Sequence, residues 1–285
     1  MDLSVIIVNY NTKKLTEQTI KAVFDTTHKI EYEIIVADNS SKPDEIFSSN
    51  DSRVTVIENV ENKGFGYACN TGAKKAVGRY LLFLNSDTLM QEDTLDKCIE
   101  YMDKHVTIGC LGIRTLLKDG TLDHGCKRGF PTPLNAFCYV TKLDRLFPKS
   151  KKMGGYRMSY IDEHETADVD SVSGAFMLIP RNLFNKTGGF DESIFMYGED
   201  IDLCYRIKEM GFRVVYYADG LMIHLKGQSG LRTKNPVVIR HFRNGIRVFY
   251  DKYYKDKYNF FVTFLMHSAI DIQYYIRLLR ARFLK

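Results

Sequence analysis

Three short runs constrain this chain more than any other feature: LSVIIVNYN from residue 3, YEIIVADNSS from residue 32 and YLLFLNSDT from residue 80. In each, an unbroken apolar stretch stops at a small polar cluster. A strand with one wet face alternates polar and apolar residues; one covered on both faces has no reason to. The unbroken runs therefore predict parallel strands within an α/β sheet. Strands at 3–8, 32–37, 54–58 and 80–84 alternate with helical patterns at about 13–26, 66–76 and 91–105, as a layered fold requires.

Past residue 115 the pattern changes. Asp119-Gly120 signals a hairpin, and residues 121–166 read as loop, punctuated by Pro131, Pro133, Pro148, Gly154 and Gly155. A further apolar run at 175–179 closes at Pro180. A helix over 199–210 is expected to end on a left-handed Gly211, and FRVVYYA returns as a strand. From Asn235 onward the chain is amphipathic and helical. The expected division is a main domain over 1–231, with halves 1–115 and 116–231, and an extension over 232–285.

That extension carries 12 Lys/Arg against 3 Asp, a charge of +9 in a chain whose total is +5, so the preceding residues sum to −4. Its basic residues interleave with Phe242, Phe249, Tyr250, Tyr253 and Tyr254. Such a surface suits an interfacial helix on anionic lipid, a helix packed on the main domain, or a homodimer interface. No nucleic-acid-binding motif accompanies the charge. No run reaches the roughly 18–20 apolar residues of a membrane span, and the first residues lack a signal-peptide pattern, so a cytoplasmic protein that meets a membrane only peripherally is expected. The six scattered cysteines show no zinc-type spacing and are expected as reduced, buried hydrophobes.

In open α/β sheets ligands bind beyond the carboxyl ends of the strands. Asn9-Tyr10-Asn11, Asp38-Asn39-Ser40 and Asn85-Ser86-Asp87 all stand there. Any one could be a turn or helix cap; three together predict a shared cleft. The sequence after the first strand, NYNTKK, has no glycine, Gly64-Phe65-Gly66 has Cys69 where a dinucleotide fingerprint needs its third glycine, and a P-loop is absent. A phosphate here would need a divalent cation, with Asp87 as the candidate carboxylate. Tyr10 could stack on a base and Asp38 accept from a base or ribose. Glu199, Asp200 and Asp202 crowd a helix start, where they could simply cap it. Because the helix behind them is apolar and buried, its first turn is also placed to project a general base into the cleft. His224 is either structural or a metal ligand.

The order VIIVNYN, ADNSS, ENKGFGYACNTG, FLNSD, VSGAFMLIPR, GGFDESIFMYGEDIDLCYRIKEMGFRVVYYADGLMIHLKG resembles the family 2 glycosyltransferases of GT-A fold, in particular bacterial cell-wall and capsule rhamnosyltransferases, over about residues 3–230. The resemblance implies a mostly parallel central sheet flanked by helices. It places Asn85-Ser86-Asp87 at the metal motif, with Asn85 replacing the first acid, Asp87 and His224 as ligands of Mg2+ or Mn2+, and Asp200 as catalytic base. Val8, Asn9, Tyr10, Asp38, Lys63, Gly64, Asn85, Ser86 and Asp87 fall at nucleotide contacts, and Ser173, Gly174, Ala175 and Glu199 near donor sugar and acceptor. Implied with them are an inverting transfer, a nucleoside-diphosphate sugar donor with dTDP-L-rhamnose favoured, and a saccharide acceptor carried on a polyprenyl diphosphate. A sugar-nucleotide pyrophosphorylase would need glycines that NYNTKK lacks. A degenerate scaffold is made conceivable by Asn85 and opposed by the retention of Asp87, Asp200 and His224.

Overall fold

The computed structural model describes residues 1–225 and 235–283. The expected boundary at 231/232 lies outside the described residues. The first half runs β1 (Leu3–Asn9), α1 (Lys13–Thr26), β2 (Tyr32–Asp38), β3 (Val54–Glu58), α2 (Phe65–Ala73), β4 (Tyr80–Asn85), β5 (Thr88–Met90) and α3 (Thr94–Lys104). It is followed by β6 (Ile108–Leu117), α4 (Pro133–Val140), α5 (Leu143–Leu146), β7 (Ala167–Asp168), β8 (Phe176–Pro180), α6 (Arg181–Thr187), α7 (Glu199–Glu209) and β9 (Arg213–His224). Two helices close the chain, α8 (Pro236–Tyr253) and α9 (Phe260–Phe283).

Among the described residues nine strands form one sheet in the order β3-β2-β1-β4-β8-β6-β9-β5, with β7 pairing β9. The block β3-β2-β1-β4 is parallel. Beyond it the sheet is mixed, because β8 runs antiparallel between β4 and β6 and β5 runs antiparallel to β9. The apolar run of β8 is as unbroken as those of the parallel strands, since burial on both faces, not direction, removes the alternation. The order reverses between β1 and β4, the point at which such sheets open a crevice. Register pairs Val8 with Asn85 and Asn9 with Asp38, so the three polar strand ends stand level.

Side chains alternate between two helical layers. Val5 and Ile7 of β1 face a core with Val23 of α1 and Leu95 and Ile99 of α3. Ile6 faces the opposite core with Cys69 of α2 and Leu203 and Ile207 of α7. All six cysteines are free and buried, as expected of small hydrophobes.

The stretch read as loop contains α4 and α5. Pro133 starts α4 at its first turn, where proline lacks only an N–H that has no partner anyway, and Thr132 caps it by accepting from the Asn135 N–H at 3.2 Å. The strand read as FRVVYYA continues to His224 through an irregularity against β6.

The extension packs on the main domain. Ile201 and Tyr205 of α7 share a small core with Phe249, Tyr250 and Tyr254 of α8 and the residue after it. Asp202, fully buried, accepts from Arg206 Nε at 2.8 Å, Lys252 Nζ at 2.7 Å and Tyr253 Oη at 2.7 Å. The helix also comes very near the loop before α7: a Cβ on Gly245 would lie 1.8 Å from the Tyr197 carbonyl oxygen, so no other residue fits unless the backbone moves.

Candidate active site

Beyond the ends of β1 and β4 lies a cavity of about 320 Å³. Of the expected residues, Val8, Tyr10, Gly64, Asn85, Ser86, Ser173, Gly174, Ala175, Glu199, Asp200 and His224 line it. Asn9, Asp38, Lys63 and Asp87 do not. Asn9 is buried and saturated: its amide donates to Asp38, Ser40 and the Glu45 carbonyl at 2.9 Å each, and its oxygen accepts from Thr12 and Thr16. Asp38 accepts from Asn9 and from the N–H groups of Ser40 at 2.7 Å and Phe47 at 2.6 Å. Both shape the loop after β2, and the neighbouring Asn39, not Asp38, reaches the cavity wall. Lys63 points to solvent beside Glu61, 3.8 Å away.

Asp87 lies just beneath the wall, and strand pairing explains its partner. Antiparallel β5 and β9 place Thr88 opposite His224, and the Leu225 N–H donates to the Asp87 carbonyl at 2.8 Å. His224 Nε2 stands 3.2 Å from Asp87 Oδ1, off hydrogen-bonding alignment, and neither Asp87 oxygen has a hydrogen-bond donor among the described residues although the side chain is 1% exposed. A buried carboxylate carries a large desolvation cost that a neighbouring cation offsets, and either the charged His224 ring or a bound metal ion can fill that role. On its other side, His224 Nδ1 is 3.2 Å from Asp123 Oδ2. A carboxylate on the second ring nitrogen of a histidine fixes its orientation and directs the first nitrogen at a metal. Burial pulls the His224 pKa down, but the hydrogen bond with Asp123 and the contact with Asp87 outweigh it and raise it to about 9, so without a metal the imidazole is charged between two carboxylates.

Asp87 and His224 thus fit a hard divalent cation as two protein ligands. No larger set of His, Cys, Asp or Glu arranged as a complete cage occurs among the described residues. Two protein donors leave most of an octahedral shell to water and substrate phosphate, the usual way Mg2+ is held.

The start of α7 at Glu199 lines the same cavity. Asp200 Oδ2 accepts from the Gly174 N–H at 3.0 Å and from Arg128 Nη2 at 2.6 Å, and Oδ1 accepts from the Ile201 N–H at 2.8 Å. The carboxylate is fixed before any substrate arrives. Arg128 is itself held by the Val172 carbonyl at 2.8 Å. Glu199 is buried with Oε2 unpartnered, and burial together with the charge of Asp200 pushes its pKa up to about 8, so it keeps its proton at neutral pH. The loop before it carries Tyr197, a cavity-lining residue at φ 69°, a left-handed conformation uncommon for a side chain with a Cβ, followed by Gly198 at φ 117°.

Two residues the sequence did not single out are central: Asp123 and Arg128. Asp123 lies just past the Asp119-Gly120 turn, and its N–H donates to the Thr115 carbonyl at 2.8 Å, which brings it back beside the end of β6. An acid returning from a hairpin next to the strand that ends in His224 was a usable signal. Arg128 gave none.

The family model described as Glycosyl transferase family 2 matches residues 4–165. Among curated relatives, the N-acetylglucosaminyl-diphospho-decaprenol L-rhamnosyltransferase of Mycobacterium tuberculosis is 24% identical over 240 residues, which cover 80% of this chain and 77% of that protein. Rhamnosyltransferase WbbL of Escherichia coli is 32% identical over 171 residues, 56% of this chain and 60% of its own. The O-antigen biosynthesis protein RfbC of Myxococcus xanthus is 25% identical over 232 residues, and this chain spans only 17% of its length. Among solved structures, GalNAc-T7 with UDP, GalNAc and Mn2+ aligns with a TM-score of 0.62 at 19% identity, covering 89% of this chain and 49% of that one. The mannosyltransferase PcManGT from Pyrobaculum calidifontis, in complex with GDP-Man and Mn2+, aligns with a TM-score of 0.55 at 19% identity, over 86% of this chain and 64% of its own. The architecture is that of the GT-A glycosyltransferases, and the chain belongs to glycosyl transferase family 2.

Proposed function

We propose that this protein is an inverting, metal-dependent glycosyltransferase that moves a sugar, L-rhamnose from dTDP-L-rhamnose by preference, to a saccharide acceptor carried on a lipid diphosphate during cell-surface polysaccharide synthesis. One observation carries the chemistry: His224, with Asp87 3.2 Å behind it, and a pre-fixed Asp200 line a single cavity. The relatives' names support rhamnose as the sugar and a diphospho-lipid-linked acceptor, and Mn2+ in two structural neighbours supports the ion class.

Asp87 and His224 would hold Mg2+ or Mn2+ near the end of β4, where a bound ion would supply neutralisation of the charge developing on the departing diphosphate. Tyr10 and Asn39 offer the nucleoside an aromatic face and an amide on the β1 and β2 side of the cavity. The acceptor hydroxyl attacks the anomeric carbon from the Asp200 side as the bond to the nucleoside diphosphate breaks. Its proton passes to the Asp200 carboxylate, general-base help typically worth about 10²- to 10⁴-fold. Arg128 and the Gly174 N–H keep that carboxylate aimed, and Glu199, protonated, can donate a hydrogen bond without repelling it. Such an enzyme works in the cytoplasm, peripheral to the membrane that holds its acceptor; no helix among the described residues is long and apolar enough to cross a membrane.

Calorimetric titration of dTDP, UDP and GDP with Mn2+ and with chelator tests the assignment, followed by transfer from dTDP-L-rhamnose. Mn2+-dependent binding with dTDP preferred is expected. Nucleotide binding indifferent to chelator would overturn the metal assignment, and turnover only with UDP- or GDP-sugars would overturn the donor.

A further inference from the structure

A second cavity, of about 540 Å³, opens from the same wall. Arg128, Tyr197, Glu199 and Asp200 line both, so the carboxylate that takes the acceptor's proton stands at their junction. Apart from these residues the new walls are chiefly hydrocarbon and aromatic, with Phe137 and Val140 from α4, Phe242 and Phe249 from α8, and Leu265 and Ile270 from α9. A bare saccharide would lose its hydration there with few hydrogen bonds in return. The shape and chemistry ask for hydrocarbon beside something polar.

Arg277 of α9 adds an electrostatic reason. Its guanidinium lies 4.1 Å from the centroid of the ring of Phe242, a lining residue. It is partly buried, and no carboxylate pairs with it among the described residues. A partly desolvated guanidinium without an anion is matched by a phosphate, which its planar donors grip in pairs. Outward from the cavity, α9 exposes Phe260, Phe264, Ile272, Tyr275, Leu279 and Phe283, with Arg280 and Arg282 in its last turn. At 100° per residue these six apolar side chains fall on one side of the helix, and together they continue an apolar path from the cavity mouth toward a bilayer with anionic headgroups.

We infer that this cavity receives the hydrocarbon nearest the diphosphate of a lipid-linked acceptor, with Arg277 at the diphosphate. The assignment rests on the acceptor class proposed above and adds a location, built by α4 and the C-terminal helices, for the part of the acceptor that does not react.

Geranylgeranyl diphosphate carrying a diazirine on its chain, photolysed with the full-length protein, tests the location directly. Labelling on α4 and on the cavity side of α9, near Met266 and Ile270, is expected. Labelling confined to the outer row of α9, near Phe264 and Leu279, would overturn it. Ala269→Trp, which fills the cavity, should lower the ratio of kcat/KM for a polyprenyl-diphosphate saccharide over the same saccharide as a methyl glycoside by at least about tenfold, or 1.4 kcal/mol. Arg277→Gln should raise KM for the lipid-diphosphate acceptor, with partial recovery in Arg277→Lys. An unchanged ratio in Ala269→Trp would also overturn the assignment. If only soluble saccharides are ever glycosylated, the acceptor class fails; the photolabelling pattern needs no transfer and judges the cavity separately.

Discussion

The two cavities that meet at Asp200 are built by different means. The smaller is framed by strand ends, with polar groups whose positions follow from sheet register: Val8 opposite Asn85, Thr88 opposite His224. The larger is framed mainly by helices whose separation is set by side-chain packing and one close glycine contact. A sheet edge holds ligating atoms to within a hydrogen-bond length, as metal and phosphate chemistry demands. A helical cleft accommodates bulk and tolerates substitution, which suits recognition of an acceptor.

The contrast implies that damage on the sheet side abolishes chemistry, while damage on the helical side alters acceptor use or stability. Asp200→Asn, at the junction, should show the largest effect: kcat lower by about 10²- to 10⁴-fold with nucleotide affinity preserved in a binding titration. Turnover near the parent rate would remove Asp200 as base. Next, Asp202→Ala leaves Lys252 and Arg206 without their buried carboxylate. About 3 kcal/mol of stability should be lost in denaturant unfolding. Asp123→Asn, which puts an amide in place of the carboxylate at the far nitrogen of His224, should weaken Mn2+ affinity by about 10- to 100-fold while leaving the fold intact by circular dichroism.

The smallest effect concerns Glu199. Its folded pKa of about 8 lies above the usual carboxylate range, so the native state binds more protons than the unfolded chain between roughly pH 4.5 and 8, and its contribution to stability falls as pH rises through that window. Glu199→Gln removes this slope. The difference in Tm between variant and parent should therefore grow in favour of the variant from pH 5 to pH 9. A constant difference would mean that Glu199 is ionised at neutral pH.

The sheet side was legible because its physics is local. Unbroken apolar runs announced β1, β2 and β4, and polar clusters at their ends announced the cleft, whatever the distant parts of the chain did. Asp38 shows where that logic stops: position at a strand end predicted an exposed acceptor, but two N–H groups of its own loop and the Asn9 amide of β1 hold the carboxylate, and Asn39 faces the cavity instead. The helical side was harder. Pro133 reads as loop punctuation unless one knows that it begins a helix, and Arg128 carries no local signature because its meaning lies 72 residues away at Asp200. For the basic extension the interleaved charges and aromatics favoured a membrane-surface helix over packing on the main domain; contact with α7 shows that α8 packs on the main domain, while α9 keeps an outward apolar row.

The absent methyl at Gly245 has a practical consequence for anyone who would re-engineer acceptor choice by grafting C-terminal helices from a relative. An alanine at that position in the donor segment would lever Tyr197 outward, and Glu199 and Asp200 follow it by only two and three residues. The graft would then part Asp200 from Arg128, and activity would be lost for a reason unrelated to the new acceptor. A transplant that carries the glycine along keeps the hinge between recognition and reaction closed.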